Sequence, residues 1–190
     1  MDPFLRVLLG TLSARPELSR WLATDDLIRQ MALIIDRLSV GASPAKELKA
    51  LRPNADFETA RQGRGRVINP ASYRRYDGLA ETVASLDAGA AARVYRTIKP
   101  RLAEAYRALG RSTADVDTAV GVAIDTLTST PKASDPVAVR EGKGATWAFA
   151  DAELEALDPA QKHLLRMGPA NAAKVTAKLE QIRAALRTTP

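Results

Sequence analysis

Five arginines sit close together near the middle of the chain. Arg61, Arg64 and Arg66 lie in and beside the string Gln62-Gly63-Arg64-Gly65, and Arg74 and Arg75 follow a few residues later. Guanidinium groups with little acid between them make a positive field that phosphate or carboxylate groups enter bidentately. Other chemistry is thinly represented. The chain has no cysteine, which removes thiolate nucleophiles, disulfides and thiolate metal sites. Its one histidine, His163, sits in the basic run Gln161-Lys162-His163-Leu164-Leu165 and reads as a structural side chain. A triad base would need an oriented carboxylate and a nucleophile beside it. Gly63-Arg64-Gly65 and Gly142-Lys143-Gly144 are not phosphate loops, because neither leads from a buried strand into a helix and no Gly-Lys-Ser/Thr follows. Glu81 and Glu104 are the two acids that paired-carboxylate glycoside chemistry could use. Both fall on the polar side of their helices and read as surface acids. Tyr73 and Tyr76 could form a stacking platform for a base or sugar ring. Their i, i+3 spacing on an apolar face favours the core instead. No residue is assigned to catalysis, to a cofactor or to a metal.

Charge is distributed in blocks. Residues 1–60 hold 8 basic and 8 acidic side chains, residues 61–110 hold 10 and 4, residues 111–158 hold 4 and 9, and residues 159–190 hold 6 and 1. Either the basic and acidic blocks face each other in the fold, or a basic face is left to meet an anionic surface.

The elements that must position these residues are mostly helices. Asn69 to Leu109 contains all four tyrosines. Asn69 is a good N-cap and Pro70 suits the first helical position. Tyr73, Tyr76, Ala80 and Val83 then recur at helical spacing, and a second helix carries Ala91, Val94, Ile98, Leu102, Ala105 and Leu109 up to Gly110. Two amphipathic helices joined only around Leu86-Asp87-Ala88 are predicted to lie antiparallel as the central pair of the fold. Upstream, Asp2 and Pro3 open a helix through Leu12, Pro16 opens a turn with Leu18, Trp21 and Leu22, and Thr24 is predicted to cap a helix. That helix has Leu27, Ile28, Met31, Ile34, Ile35 and Leu38 on one face. A further short helix is expected over Pro44 to Leu51. Ser112 or Thr113 is predicted to cap a helix through Thr128. Gly-x-Gly tips at 57–68 and 137–149 mark two β-hairpins, which either pair in one small sheet or pack on the helices. Asp151 and Pro159 open two short helices. The last helix, with Ala172, Val175, Leu179, Ile182 and Leu186 aligned, is too short in heptads for a coiled coil and is expected to pack on the core.

The class that follows is mainly α, a compact multi-helix domain over residues 1–190 with one or two small β-hairpins. A hydrophobic content of 46% suits a globular core, and 5% aromatics means a core of aliphatic side chains. The most apolar windows, Phe4 to Leu12 and Leu27 to Leu38, fall short of the ~20 residues a membrane span needs. No signal-peptide pattern is present, and the chain reads as soluble.

The strings WLATDDLIRQM (21–31), NPASYRRYDGLAETVASLDA (69–88), RVYRTIKPRLAEAYRALG (93–110) and LLRMGPANAAKVTAKLEQIRAAL (164–186) resemble the bacterial Domain of Unknown Function 3014 family. Pro-x-Ser-Tyr-x-x-Tyr-Asp and Leu-Arg-Met-Gly-Pro are its most specific parts, and the resemblance runs from about Asp2 to Leu186. Family members typically carry a membrane-anchor helix and a Pro-rich linker ahead of this region, so the chain looks like an excised soluble part. They often have an acidic residue where this chain has Ala170. The resemblance implies the periplasmic side of the inner membrane and supplies no activity, cofactor or catalytic residue. The expected function is a non-enzymatic, envelope-associated interaction or scaffold domain. Its partner is an anionic lipid, an envelope polymer or a protein, met through Arg61, Arg64, Arg66, Arg74 and Arg75. The alternatives are an enzyme acting on envelope polymer through Glu81 or Glu104, and a nucleic-acid-binding domain, against which the periplasmic placement argues.

Overall fold

The computed structural model describes residues 2–48, 52–53, 55–110, 115–133, 135–144 and 146–188. Among them are ten α-helices and one four-stranded antiparallel sheet of order β1-β2-β3-β4. The fold is mainly α, as the sequence predicts. Helices α1 (Asp2–Gly10), α2 (Pro16–Trp21) and α3 (Leu27–Ser39) lead to strands β1 (Thr59–Gln62) and β2 (Gly65–Ile68). Helices α4 (Pro70–Arg74), α5 (Asp77–Ala84), α6 (Ala88–Ala108) and α7 (Val116–Thr128) follow, then strands β3 (Ala138–Glu141) and β4 (Trp147–Phe149). The chain closes with α8 (Ala152–Ala156), α9 (Pro159–Arg166) and α10 (Pro169–Thr188).

The two hairpins form one sheet. Arg66 pairs with Val139 and Val67 with Ala138, and Ile68 N donates to the Val137 carbonyl at 2.9 Å. In the first tip, Gln62 pairs with Gly65, so the loop has two residues, and Gly63 at φ +57° takes its first central place. A type II′ hairpin turn requires a positive φ there. One end of the sheet buries Ile68, Val137, Val139 and Phe149 with Tyr73 and Leu165. The other end carries the arginine tip into solvent.

The predicted central pair does not form as such. Its first arm breaks at Tyr76, which has φ −104° and ψ 0° between α4 and α5. The break lets Tyr73 enter the cluster beneath the sheet while Tyr76 packs with Ala80, Leu164, Met167 and Val175. Helices α5 and α6 make few direct contacts and instead both pack on α10, while α6 and α7 also rest on α3. The last helix therefore occupies the place that the sequence reading gave to the pair's own interface.

Local signals hold elsewhere, with instructive exceptions. Asn69 caps α4 by accepting from Ala71 N at 2.9 Å, and Asp158 and Gln161 close a capping box on α9. Thr24 does not cap α3. The Asp2 carboxylate does so from a distance, accepting from Asp26 N at 2.8 Å and Leu27 N at 3.3 Å. Between Pro44 and Leu51 the described structure is a single 3₁₀ turn, Pro44–Lys46, and residues 49–51 lie outside the described residues. Ser112 and Thr113 also lie outside them, and α7 is capped by Asp115, which accepts from Thr118 N at 3.1 Å.

Candidate functional site

Arg61, Arg64, Arg66 and Arg74 are exposed. Arg61 and Arg66 stand directly opposite each other across β1 and β2. Residues paired in this way share a face of the sheet, and like charges so placed repel. Arg66 Nη1 donates to Thr59 Oγ1 at 2.6 Å, and its guanidinium lies 5.3 Å from the Trp147 ring centroid. None of the four makes an ion pair with a carboxylate among the described residues. The acidic block is engaged elsewhere: Asp117 with Lys99, Asp125 with Arg183, and Glu155 with Lys162. The possibility that basic and acidic blocks neutralise each other is not realised at these arginines. Arg75 differs from the other four. It is half-buried, donates to the carbonyls of Ser72 and Ala55, and lies over the rings of Phe57 and Tyr76.

The two most specific motifs of the family resemblance meet in space. Gly168 is so close to Tyr73 that a Cβ built on it would lie 2.5 Å from Tyr73 Cγ. Asn171, buried, directs its amide nitrogen at the Tyr73 carbonyl (3.0 Å) and at Asp77 Oδ1 (2.8 Å). The Ser72 hydroxyl ties Glu58 to the start of α4, donating to its carbonyl and accepting from its N–H. A family model described as "Protein of unknown function (DUF3014)" matches residues 27–183. The chain belongs to the DUF3014 family. No curated protein and no solved structure matches it.

The other candidates of this DUF3014 chain lie apart from one another. Glu81 pairs with Arg15 at 3.0 Å and Lys174 at 3.9 Å, and Glu104 pairs with Arg101 at 3.3 Å. Both are on the surface, on different helices, and the ion pairs hold their charges. No group of three or more metal-binding side chains occurs among the described residues, and no helix there is long and apolar enough to cross a membrane.

Arg166 was not singled out by the sequence, and it is the most unusual cation in the structure. It lies on α9 one turn after His163, with its guanidinium 4.9 Å from the Phe149 centroid and Nη2 donating to the Trp147 carbonyl at 3.0 Å. No carboxylate bonds it. Glu155, its nearest acid, spends one oxygen on Phe149 N and the other on Lys162. Arg166 reads in sequence as one more basic residue on a basic helix, and only the fold shows that it turns inward.

His163 is half-buried, with Nδ1 3.1 Å from Ser43 Oγ and its ring edge-on to Tyr76 at 5.8 Å. Burial pushes its pKa below the ordinary 6.5, and Arg166 and Arg75 push it further down. The unfolded chain then protonates first as pH falls, so this site adds stability above about pH 6.5 and loses it below. Stability is expected to fall as pH drops from about 7.5 through the lowered His163 pKa, and His163→Gln should flatten that slope. Urea midpoints across the range check this, and an equal slope in the variant would contradict it.

Proposed function

We propose that this DUF3014 domain is a non-enzymatic interaction domain of the bacterial envelope, and that Arg61, Arg64, Arg66 and Arg74 hold it against an anionic surface. The observation that carries the reading is the cross-strand pair of Arg61 and Arg66. Two arginines placed opposite each other without a carboxylate repel, whereas an anion bridging both removes the repulsion. Arg64 at the tip and Arg74 at the end of α4 are exposed as well. Arg75 leaves the set because its guanidinium is turned onto Phe57 and Tyr76. The periplasmic side of the inner membrane is the setting that fits the family, and its lipid headgroups supply suitable anions. Glu81 and Glu104 give no comparable support to an enzyme, since each is held in a surface ion pair.

The test is co-sedimentation with vesicles of phosphatidylcholine containing phosphatidylglycerol. Binding should be present at low salt and fall steeply by about 0.15 M, where charges more than ~8 Å apart are screened. Changing Arg61, Arg64, Arg66 and Arg74 together to glutamine should abolish it. The fold should survive, because all four side chains are exposed and only Arg66 gives up a bond to Thr59 and a contact with Trp147, and Arg61→Thr alone should leave it unchanged or raise it by about 0.2–1 kcal/mol. Binding that ignores salt, or that the fourfold variant retains, would count against the reading.

A further inference from the structure

A second set of cationic groups lies inside the fold, away from the hairpin tip. Tyr76 is at its centre. The residue is 7% exposed, and its ring lies against both Arg75 and His163. Around it are Arg75, with its guanidinium 5.4 Å from the Tyr76 centroid, and His163, edge-on at 5.8 Å. Arg166 projects from the same face of α9 as His163, three residues on. These groups offer donors almost exclusively: two guanidinium forks, a phenol O–H and an imidazole. Ser43 holds the imidazole by Nδ1 and fixes the orientation of the ring. None of the four makes an ion pair among the described residues, and Glu155 is occupied by Phe149 N and Lys162. Arg75, His163 and Arg166 are each partly exposed.

We propose that Arg75, Tyr76, His163 and Arg166 form a binding site for a phosphate-type oxyanion. Two half-buried guanidinium groups without a carboxylate are costly to hold together, and a tetrahedral oxyanion offers acceptors to both forks and to the phenol. The electrostatics agree. Burial raises the Tyr76 phenol while Arg75 and Arg166 pull it back down, and burial lowers Arg166 with only Glu155 and Tyr76 opposing. The site is separate from the proposed surface contact, because it uses none of Arg61, Arg64, Arg66 and Arg74. The anion comes either as free phosphate or as the headgroup of a phosphate monoester lipid.

The test is calorimetric titration of the whole chain with inorganic phosphate and, separately, with water-soluble dihexanoyl phosphatidic acid, against chloride at matched ionic strength. Saturable binding of at least one phosphate probe is expected. Arg166→Lys, which keeps the charge and loses the fork, and Tyr76→Phe, which keeps the ring and loses the hydroxyl, should each weaken it about tenfold, the size of one lost charge-assisted hydrogen bond. If Arg166→Lys does not fold, Arg75→Lys serves in its place. The fourfold hairpin variant should bind as the wild type does, so that failure of the surface reading and failure of this one give different results. Tighter binding of the lipid than of free phosphate assigns the anion to a headgroup, and equal binding assigns it to phosphate itself. No saturable binding of either probe, or equal affinity in wild type, Tyr76→Phe and the arginine variant, would overturn the site.

Discussion

Gly168→Ala is expected to destabilise the fold by about 3 kcal/mol or more, read as a fall in the urea midpoint at unchanged slope. Two costs combine. Gly168 has φ +84°, and a left-handed conformation costs a residue with a Cβ roughly 1–2 kcal/mol. The new methyl would also lie 2.5 Å from Tyr73 Cγ, 2.8 Å from Cδ1 and 2.9 Å from Cβ. Cβ is fixed to the α4 backbone, and a rotamer change moves Cγ and Cδ1 away only by taking the ring out of its place. Either α10 shifts off α4 or the ring leaves the cluster beneath the sheet, and such overpacking costs about 1–3 kcal/mol. Asn171, which bonds the Tyr73 carbonyl and Asp77 from the next turn, resists the first of these. A midpoint equal to that of the wild type would show that the two motifs do not meet as described.

What was legible in the sequence is what local chemistry decides. Asn69, Asp151 and Asp158 reach backbone N–H groups two or three residues ahead, so their type and place mark the helix starts. The Gly-containing tips mark both hairpins for the same reason. The α3 cap was missed because its carboxylate comes from Asp2, far back in the chain, where only the packing of α1 brings it near Leu27. The antiparallel pair was misjudged because an amphipathic stripe shows that a face is buried but not against what. The stripe of α5 faces α10, whereas that of α6 packs on α1, α3 and α7. Whether the hairpins join is likewise a question of partner, settled by Arg66 pairing with Val139. The exposed arginines could be read because a hairpin tip projects whatever the fold does. Arg75 and Arg166 could not, because a basic residue in a basic run looks solvated until its neighbours are known.

Tyr73→Ala is expected to cost about 2–4 kcal/mol, as removing a large buried side chain does. The ring is 8% exposed and packs with Ile68, Val137, Val139, Phe149 and Leu165, joining the sheet to α4 and α9. Its hydroxyl, by contrast, is buried with no bond of good geometry, and burial holds the phenol above its ordinary pKa. Tyr73→Phe should therefore be close to neutral, which separates packing from hydrogen bonding at this position. The contact with Gly168 supplies a sharper check. Once the ring is gone, a methyl at position 168 loses its two closest neighbours and keeps only the Cβ of residue 73 at 2.9 Å, beside the left-handed strain of roughly 1–2 kcal/mol. Gly168→Ala should then cost less in the Tyr73→Ala background than in the wild type, with a coupling of about 1 kcal/mol or more. Strict additivity of the two changes would mean that the ring and the glycine act independently, and that the two motifs shared with the family are not locked together through this contact.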